Sequence, residues 1–326
     1  MRAIICKDWG DPANLELGEL PEPELGPDQV RIRMRAAGVN FADSVLVRGN
    51  YQEKPSLPFA PGLEGAGEIM EVGDGVEGLA PGDRVMALLS AGAFAEQAVC
   101  NATTVLRIPD GMEDRTAAAF PVAYGTSHLA LIHRGDLKPG ETLLVLGAGG
   151  GVGLTAVECA KAAGATVIAA ASSSEKLTLA EARGADHLIN YTEEDLRKAV
   201  RSLTDGNGVD VVYDPVGGAL AETAMRCLAW SGRLLVIGFA SGDVPNFPAN
   251  YLLVKNIAIV GVYWGAYRTR EPETFRAGFD ELNSWWSDGR LKPHVSEVFP
   301  LADVPRAITM LEGRQATGRL VIDIDA

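Results

Sequence analysis

The chain has 326 residues, 47% of them hydrophobic and 22% charged, with a net charge of −14 at pH 7. That length exceeds one ordinary core and predicts two domains of a globular protein. The acidic balance argues against a nucleic-acid surface, which needs a basic stripe. No apolar run approaches the roughly 18 residues of a membrane span. "MRAIICKDWG" lacks the apolar core and cleavage site of a secretory signal, so a cytoplasmic protein is expected.

From Met1 to about Val105 short β-type runs alternate with Gly/Pro turns. In "VRIRMRA", Val30, Ile32 and Met34 point one way and Arg31, Arg33 and Arg35 the other, the pattern of a half-buried antiparallel strand. A small β-rich barrel is expected there. Cys6, Cys100, Cys159 and Cys227 are scattered singly, without the close spacing of a disulfide framework or structural zinc site. Near Asp114 the pattern changes to helix, broken at Pro121. Six apolar strand runs with crossover helices then follow, from "TLLVLG" to "IAIVGVYWG", predicting a doubly wound parallel sheet. After Gly265 come a helix, a strand, a second helix and a closing strand. They are too few for a third domain. The expected division is therefore 1–121 with 266–326, and 122–265.

"LLVLGAGGGVGLTAVECAKAAG" carries the strongest chemical signal. A strand ends at Leu146, glycines fill the turn and an amphipathic helix begins near Val152. In the G-x-G-x-x-G fingerprint the three positions are Ala148, Gly150 and Gly153, so alanine replaces the first glycine. Gly150 lets the backbone approach a pyrophosphate, and Gly153 lets helix pack on strand. The N–H groups of Gly151, Val152 and Gly153 open the helix toward the anion.

The next strand, "TVIAAA", runs into "SSSEKL". A site for NAD places an acid at this strand end to hold the ribose 2′-OH. Here Ser172, Ser173 and Lys176 stand instead, donors that suit a 2′-phosphate. NADPH is the expected cofactor. The same serines would also serve as a helix N-cap.

"AAGVNFADSVLVRGNY", "PFAPGLEGAGEIMEVGDGV", "PGDRVMAL", "AAAFPVAYGTSHLAL", "GAGGGVG" and "GADHLINY" run through nearly the whole chain. Together they resemble the zinc-independent quinone oxidoreductase branch of the medium-chain dehydrogenase/reductase superfamily. The resemblance implies a GroES-like barrel beside a Rossmann sheet. Where zinc enzymes of the superfamily carry Cys and His ligands, this chain has Asn40 and Leu63, and only Ser90 and Ala91 occupy the place of the four-cysteine lobe. An amide and an isobutyl group build no such site, so no metal is expected, and Glu64 should serve as a scaffold carboxylate bonded to backbone N–H groups or a cation.

Without a Lewis acid, the feasible reaction is hydride delivery to a quinone or an activated α,β-unsaturated carbonyl. The resemblance places Asn40, Asp43, Tyr51 and Thr126 around the nicotinamide, with Tyr51 matching a proton-donating tyrosine of related enoyl-thioester reductases. Val45, where several quinone reductases carry a second tyrosine, departs from the pattern. The resemblance further implies that Tyr191 joins Lys176 at the 2′-phosphate, that the segment from Gly238 and Phe239 to Ser241 passes the nicotinamide edge, and that the segment with Trp264 binds its amide. The run from Leu252 to Trp264 resembles an edge strand that pairs two sheets into a homodimer. Two other readings stand beside this one: an enoyl-CoA reductase with a rim of Arg48, Lys54, Arg268 and Arg270, and a non-enzymatic NADPH-binding protein.

Overall fold

The computed structural model describes every residue from Met1 to Ala326. The first runs form an antiparallel pair, β1 (Arg2–Ile5) and β2 (Glu16–Glu19). The alternating stretch is β3 (Gln29–Val39), with Val30, Ile32 and Met34 buried. Helix α1 (Phe41–Val47) follows at once. Next come β4 (Glu64–Val72), β5 (Arg84–Leu88), β6 (Gln97–Asn101), β7 (Val105–Arg107) and the short α2 (Asp114–Ala118). Pro121 opens α3 (Pro121–His128), which continues as a π-helical turn over Leu129–Arg134. Proline suits that first helical position, where its missing N–H loses no bond.

The parallel strands are β8 (Thr142–Leu146), β9 (Thr166–Ala171), β10 (His187–Asn190), β11 (Val209–Asp214), β12 (Leu228–Val236) and β13 (Ala258–Gly261). Between them run α4 (Gly151–Ala162), α5 (Ser174–Ala182), α6 (Leu196–Leu203), α7 (Gly218–Met225) and α8 (Ala249–Lys255). Their spatial order, β10-β9-β8-β11-β12-β13, reverses between β8 and β11. In an open α/β sheet that switch point is where ligands bind, beyond the carboxyl ends of the strands.

After α9 (Tyr267–Arg270) and α10 (Pro272–Ser287), the chain adds β14 (Val295–Pro300), α11 (Val304–Glu312) and β15 (Arg319–Asp323). The last strand joins the first third: the order is β14-β15-β3-β4-β5-β7, with β6 also on β3. Val30, Ile32, Phe94, Ile308 and Leu320 lie in this unit's core.

Two expectations need correction. The units are Met1–Val122 with Pro293–Ala326, and Ala123–Lys292, so the second crossing lies at 292 rather than 265. Burial of one helix face is the reason. Phe275 and Phe279 of α10 put their ring centroids 5.8 and 6.4 Å from that of Trp264, which holds α10 to the Rossmann unit. Nor is Leu252–Trp264 one strand. Residues up to Lys255 form α8, which ends where Asn256 turns left-handed at φ 55°, and only Ala258–Gly261 pair with the sheet. The edge on which a two-fold pairing is expected is therefore four residues long. No helix is long and apolar enough to cross a membrane.

Candidate functional site

The glycine turn sits at the carboxyl end of β8, beside the switch point. Gly147 takes the left-handed backbone, φ 59°, while Ala148 does not. This explains why alanine is tolerated at the first fingerprint position: the strained conformation falls one residue earlier. A side chain at Gly153 would overlap the Gly147 carbonyl, and one at Gly149 would overlap the stem of Lys176. Gly150 precedes α4 and offers no side-chain cap. The N–H groups of Gly151, Val152 and Gly153 thus open the helix without intrahelical acceptors. The residues fit a pyrophosphate.

At the ends of β9 and β10 the second half of the cradle assembles. Ser173 caps α5 by accepting from the Lys176 N–H at 3.4 Å, which leaves its own hydroxyl hydrogen to donate elsewhere. Ser172 is exposed beside it, and Lys176 is half-buried against Gly149. Tyr191 follows β10 and is anchored by its N–H to the Ala171 carbonyl, 3.2 Å. The structure thus brings Ser172, Ser173, Lys176 and Tyr191 to one end of the sheet.

Other expected residues are placed less directly. Gly238 and the exposed Phe239 follow β12, where the Ile237 and Gly238 N–H groups donate to the Asp214 carbonyl. Thr126 lies half-buried on α3. Trp264 is only 9% exposed, packed on Phe275, Phe279 and Gly125, so its side chain serves the core.

In the barrel unit, Glu64 is fully buried at the start of β4. Its Oε1 accepts from Asn40 Nδ2 at 2.9 Å and from Arg319, and its Oε2 accepts from the Val122 N–H at 2.8 Å. Arg319 also donates through Nε to the Ala119 carbonyl, 3.2 Å. Asp43, likewise fully buried, accepts the Asn40 N–H at 2.7 Å and so closes the first turn of α1. Asn40 and Asp43 are thereby spent on the scaffold. Tyr51 stands beyond α1, half-buried, its ring packed on the edge of the barrel core. No group of three or more His, Cys, Asp or Glu side chains gathers as a metal site would require.

The Arg319 partner was not named from the sequence. Its signal was a lone arginine opening an otherwise apolar closing strand, "GRLVI". Two buried polar clusters around α4 were missed as well. Ser127 Oγ meets Thr155 Oγ1 at 2.7 Å and Tyr213 OH at 3.0 Å, and Tyr124 OH donates to Glu158. A single glutamate inside "LTAVECA" was the available clue.

Comparison with known proteins fits this architecture. Residues 26–110 match the alcohol dehydrogenase GroES-like domain, and residues 151–284 match the zinc-binding dehydrogenase family. A quinone oxidoreductase-like protein 2 homolog from Nematostella vectensis is 40% identical over 99% of this chain and 88% of its own. The quinone oxidoreductase of Pseudomonas aeruginosa is 38% identical, over 96% of this chain and 97% of its own. The chain belongs to the quinone oxidoreductase branch of the medium-chain dehydrogenase/reductase superfamily. The Escherichia coli quinone oxidoreductase, solved in complex with NADPH, superposes with TM-score 0.92 at 31% identity, over 99% of this chain and all of its own. The second matched segment ends inside α10, in keeping with that helix's place in the Rossmann unit.

The barrel site holds two buried carboxyl groups whose protons bind more tightly than usual. Burial pushes the Asp43 carboxyl up to about 7, and the neighbouring Glu64 charge adds to it, against the pull of the Asn40 N–H and Arg319. Glu64 is raised too, by burial, with Arg319, the Val122 N–H and the Asn40 amide opposing. Asp43 Oδ1 has no hydrogen-bond partner. A carboxyl raised on folding stabilises the protein below its unfolded value, and that contribution is lost as pH climbs toward about 7. Asp43→Asn keeps an acceptor for the Asn40 N–H and removes the titration. It should be more stable than the parent at pH 8 by of order 2 kcal/mol, with a flatter melting-temperature profile between pH 5 and 8. Parallel profiles for the two proteins would show that Asp43 does not carry this proton.

Proposed function

We propose that this chain is an NADPH-dependent reductase delivering hydride, without a metal, to a quinone or an activated α,β-unsaturated carbonyl. The observation that carries the reading is the β8–α4 turn, backed by Ser172, Ser173, Lys176 and Tyr191 where an NAD site would hold an acid. With NADPH bound, its dihydronicotinamide would supply the hydride. The first-turn N–H groups of α4 hold the pyrophosphate. Lys176 and the serine hydroxyls hold the 2′-phosphate through charge-assisted bonds.

Charge develops on the acceptor oxygen, and a donor must meet it. Tyr51 fills that role, since a phenol O–H can donate a hydrogen bond. Asn40 and Asp43 support it from below as positioning residues, by fixing the start of α1, whose end leads into the Tyr51 loop. Two observations support the metal-free reading: Asn40 gives its amide to Glu64, and the buried Leu63 offers no donor atom. The enoyl-CoA reading loses a member of its cationic rim, because Arg48 is committed to Glu312 through Nε and Nη2.

Losing one charge-assisted contact costs about 1.5–3 kcal/mol, so Lys176→Ala should raise the KM for NADPH about tenfold or more. NADH kinetics should hardly move. Equal losses with both cofactors would break the 2′-phosphate assignment.

Turnover with NADPH against a quinone, a simple enone and crotonyl-CoA, run in chelator, tests the reaction itself. Tyr51→Phe should lower kcat on enones by about 100-fold, the effect of one lost oxyanion donor. An unchanged kcat on every acceptor would reduce Tyr51 to a wall of the pocket.

A further inference from the structure

Helix α4 does more than present its N-terminus. The chain leaves and re-enters the Rossmann unit at two crossings, Val122–Ala123 and Lys292–Pro293. Both ends of the unit are bonded to this one helix. Tyr124, one residue inside the first crossing, donates its hydroxyl to Glu158 Oε2 at 2.5 Å. Lys292, the last residue before the second crossing, donates its N–H to the same oxygen at 3.1 Å. Arg183, just past α5, stands 3.7 Å from Glu158 Oε1.

The neighbouring turns of α4 repeat the arrangement. Thr155 Oγ1 lies 3.2 Å from the Ala123 carbonyl, and Ser127 Oγ lies 3.1 Å from the Val152 carbonyl in the first turn. At the far end, Arg290 Nη1 donates to the Ala162 carbonyl at 3.3 Å.

Glu158 is only 4% exposed, and burial raises its carboxyl against the pull of Tyr124, the Lys292 N–H and Arg183. An apolar residue would avoid that desolvation. What the carboxylate adds is simultaneous acceptance from both chain ends, which no apolar side chain can give. It lies seven residues beyond Gly151, about 10 Å along a rigid helix.

We propose that Glu158 is a positioning residue that ties the cofactor helix to both chain crossings, so that dinucleotide bound at Gly151 orders Tyr124 and Lys292. The proposal rests on the dinucleotide reading above and extends it to segments that do not touch the ligand. Binding at the helix N-terminus removes freedom from α4, and the two crossings, bonded to it, lose freedom with it.

Hydrogen–deuterium exchange on the full chain, with and without saturating NADPH, reads this directly. In the parent, NADPH should slow exchange in the glycine turn, residues 147–153, and by about tenfold in residues 123–128 and 290–292. In Glu158→Leu, which offers neither Tyr124 nor Lys292 an acceptor, the turn should keep its protection while the response of both crossing segments falls below about twofold. Tyr124→Phe, which deletes a single hydroxyl, should weaken the response of the first segment more than that of the second. An undiminished response in Glu158→Leu overturns the proposal. So does a parent whose turn is protected while neither crossing responds. Lack of protection at the turn itself would overturn the cofactor reading, and the coupling with it.

Discussion

The barrel unit depends on how one buried charge is satisfied. Glu64 is wholly removed from water, and an isolated carboxylate in such a place would take up a proton or unfold its surroundings. Arg319 supplies the counter-charge, and Asn40 and the Val122 N–H fill the remaining acceptor sites. Four pieces of chain far apart in sequence meet on those two oxygens: the start of α1, the start of β4, the first crossing and the head of β15. The Arg319 N–H also donates to the His294 carbonyl at 3.0 Å, beside the second crossing. The ion pair therefore fastens the barrel unit at the first crossing, and the backbone of the same arginine fastens it at the second.

The same device recurs in the Rossmann unit with different partners. There Glu158 accepts from Tyr124 and Lys292, with Arg183 as the nearby cation. Buried carboxylates cost desolvation, and each is retained where it can gather donors from several segments. The groups proposed to hold the cofactor and meet the acceptor stand beside this frame. The glycine turn is held by backbone geometry and by the packing of Lys176 on Gly149, and the Tyr51 loop leaves a helix whose first turn is closed by Asp43.

Local features were legible in the sequence because their physics is local. Alternation in "VRIRMRA" depends only on the two-residue period of a strand, and β3 buries the residues it selects. The glycine turn was readable because close backbone approach admits no other residue at Gly153. Glu64 could be read as a scaffold carboxylate from the missing metal ligands, but its cation lies 255 residues away and no spacing pointed to it. The place of α10 was hidden for a related reason: the aromatic cluster of Trp264, Phe275 and Phe279, assembled across a loop, leaves no periodic trace. The supposed strand from Leu252 shows a further limit, since an apolar run fits helix and strand alike until Asn256 turns left-handed and ends α8.

The central claim, that Glu64 is a structural anion requiring Arg319, is tested most directly by a double-substitution cycle of Glu64→Gln and Arg319→Met, read by urea unfolding. Arg319→Met alone should cost about 3–5 kcal/mol, because it strands a buried charge. Adding Glu64→Gln to that variant should recover about 1 kcal/mol or more, since the stranded charge is gone. Strictly additive losses, or an Arg319→Met protein destabilised by less than about 1 kcal/mol, would contradict the account.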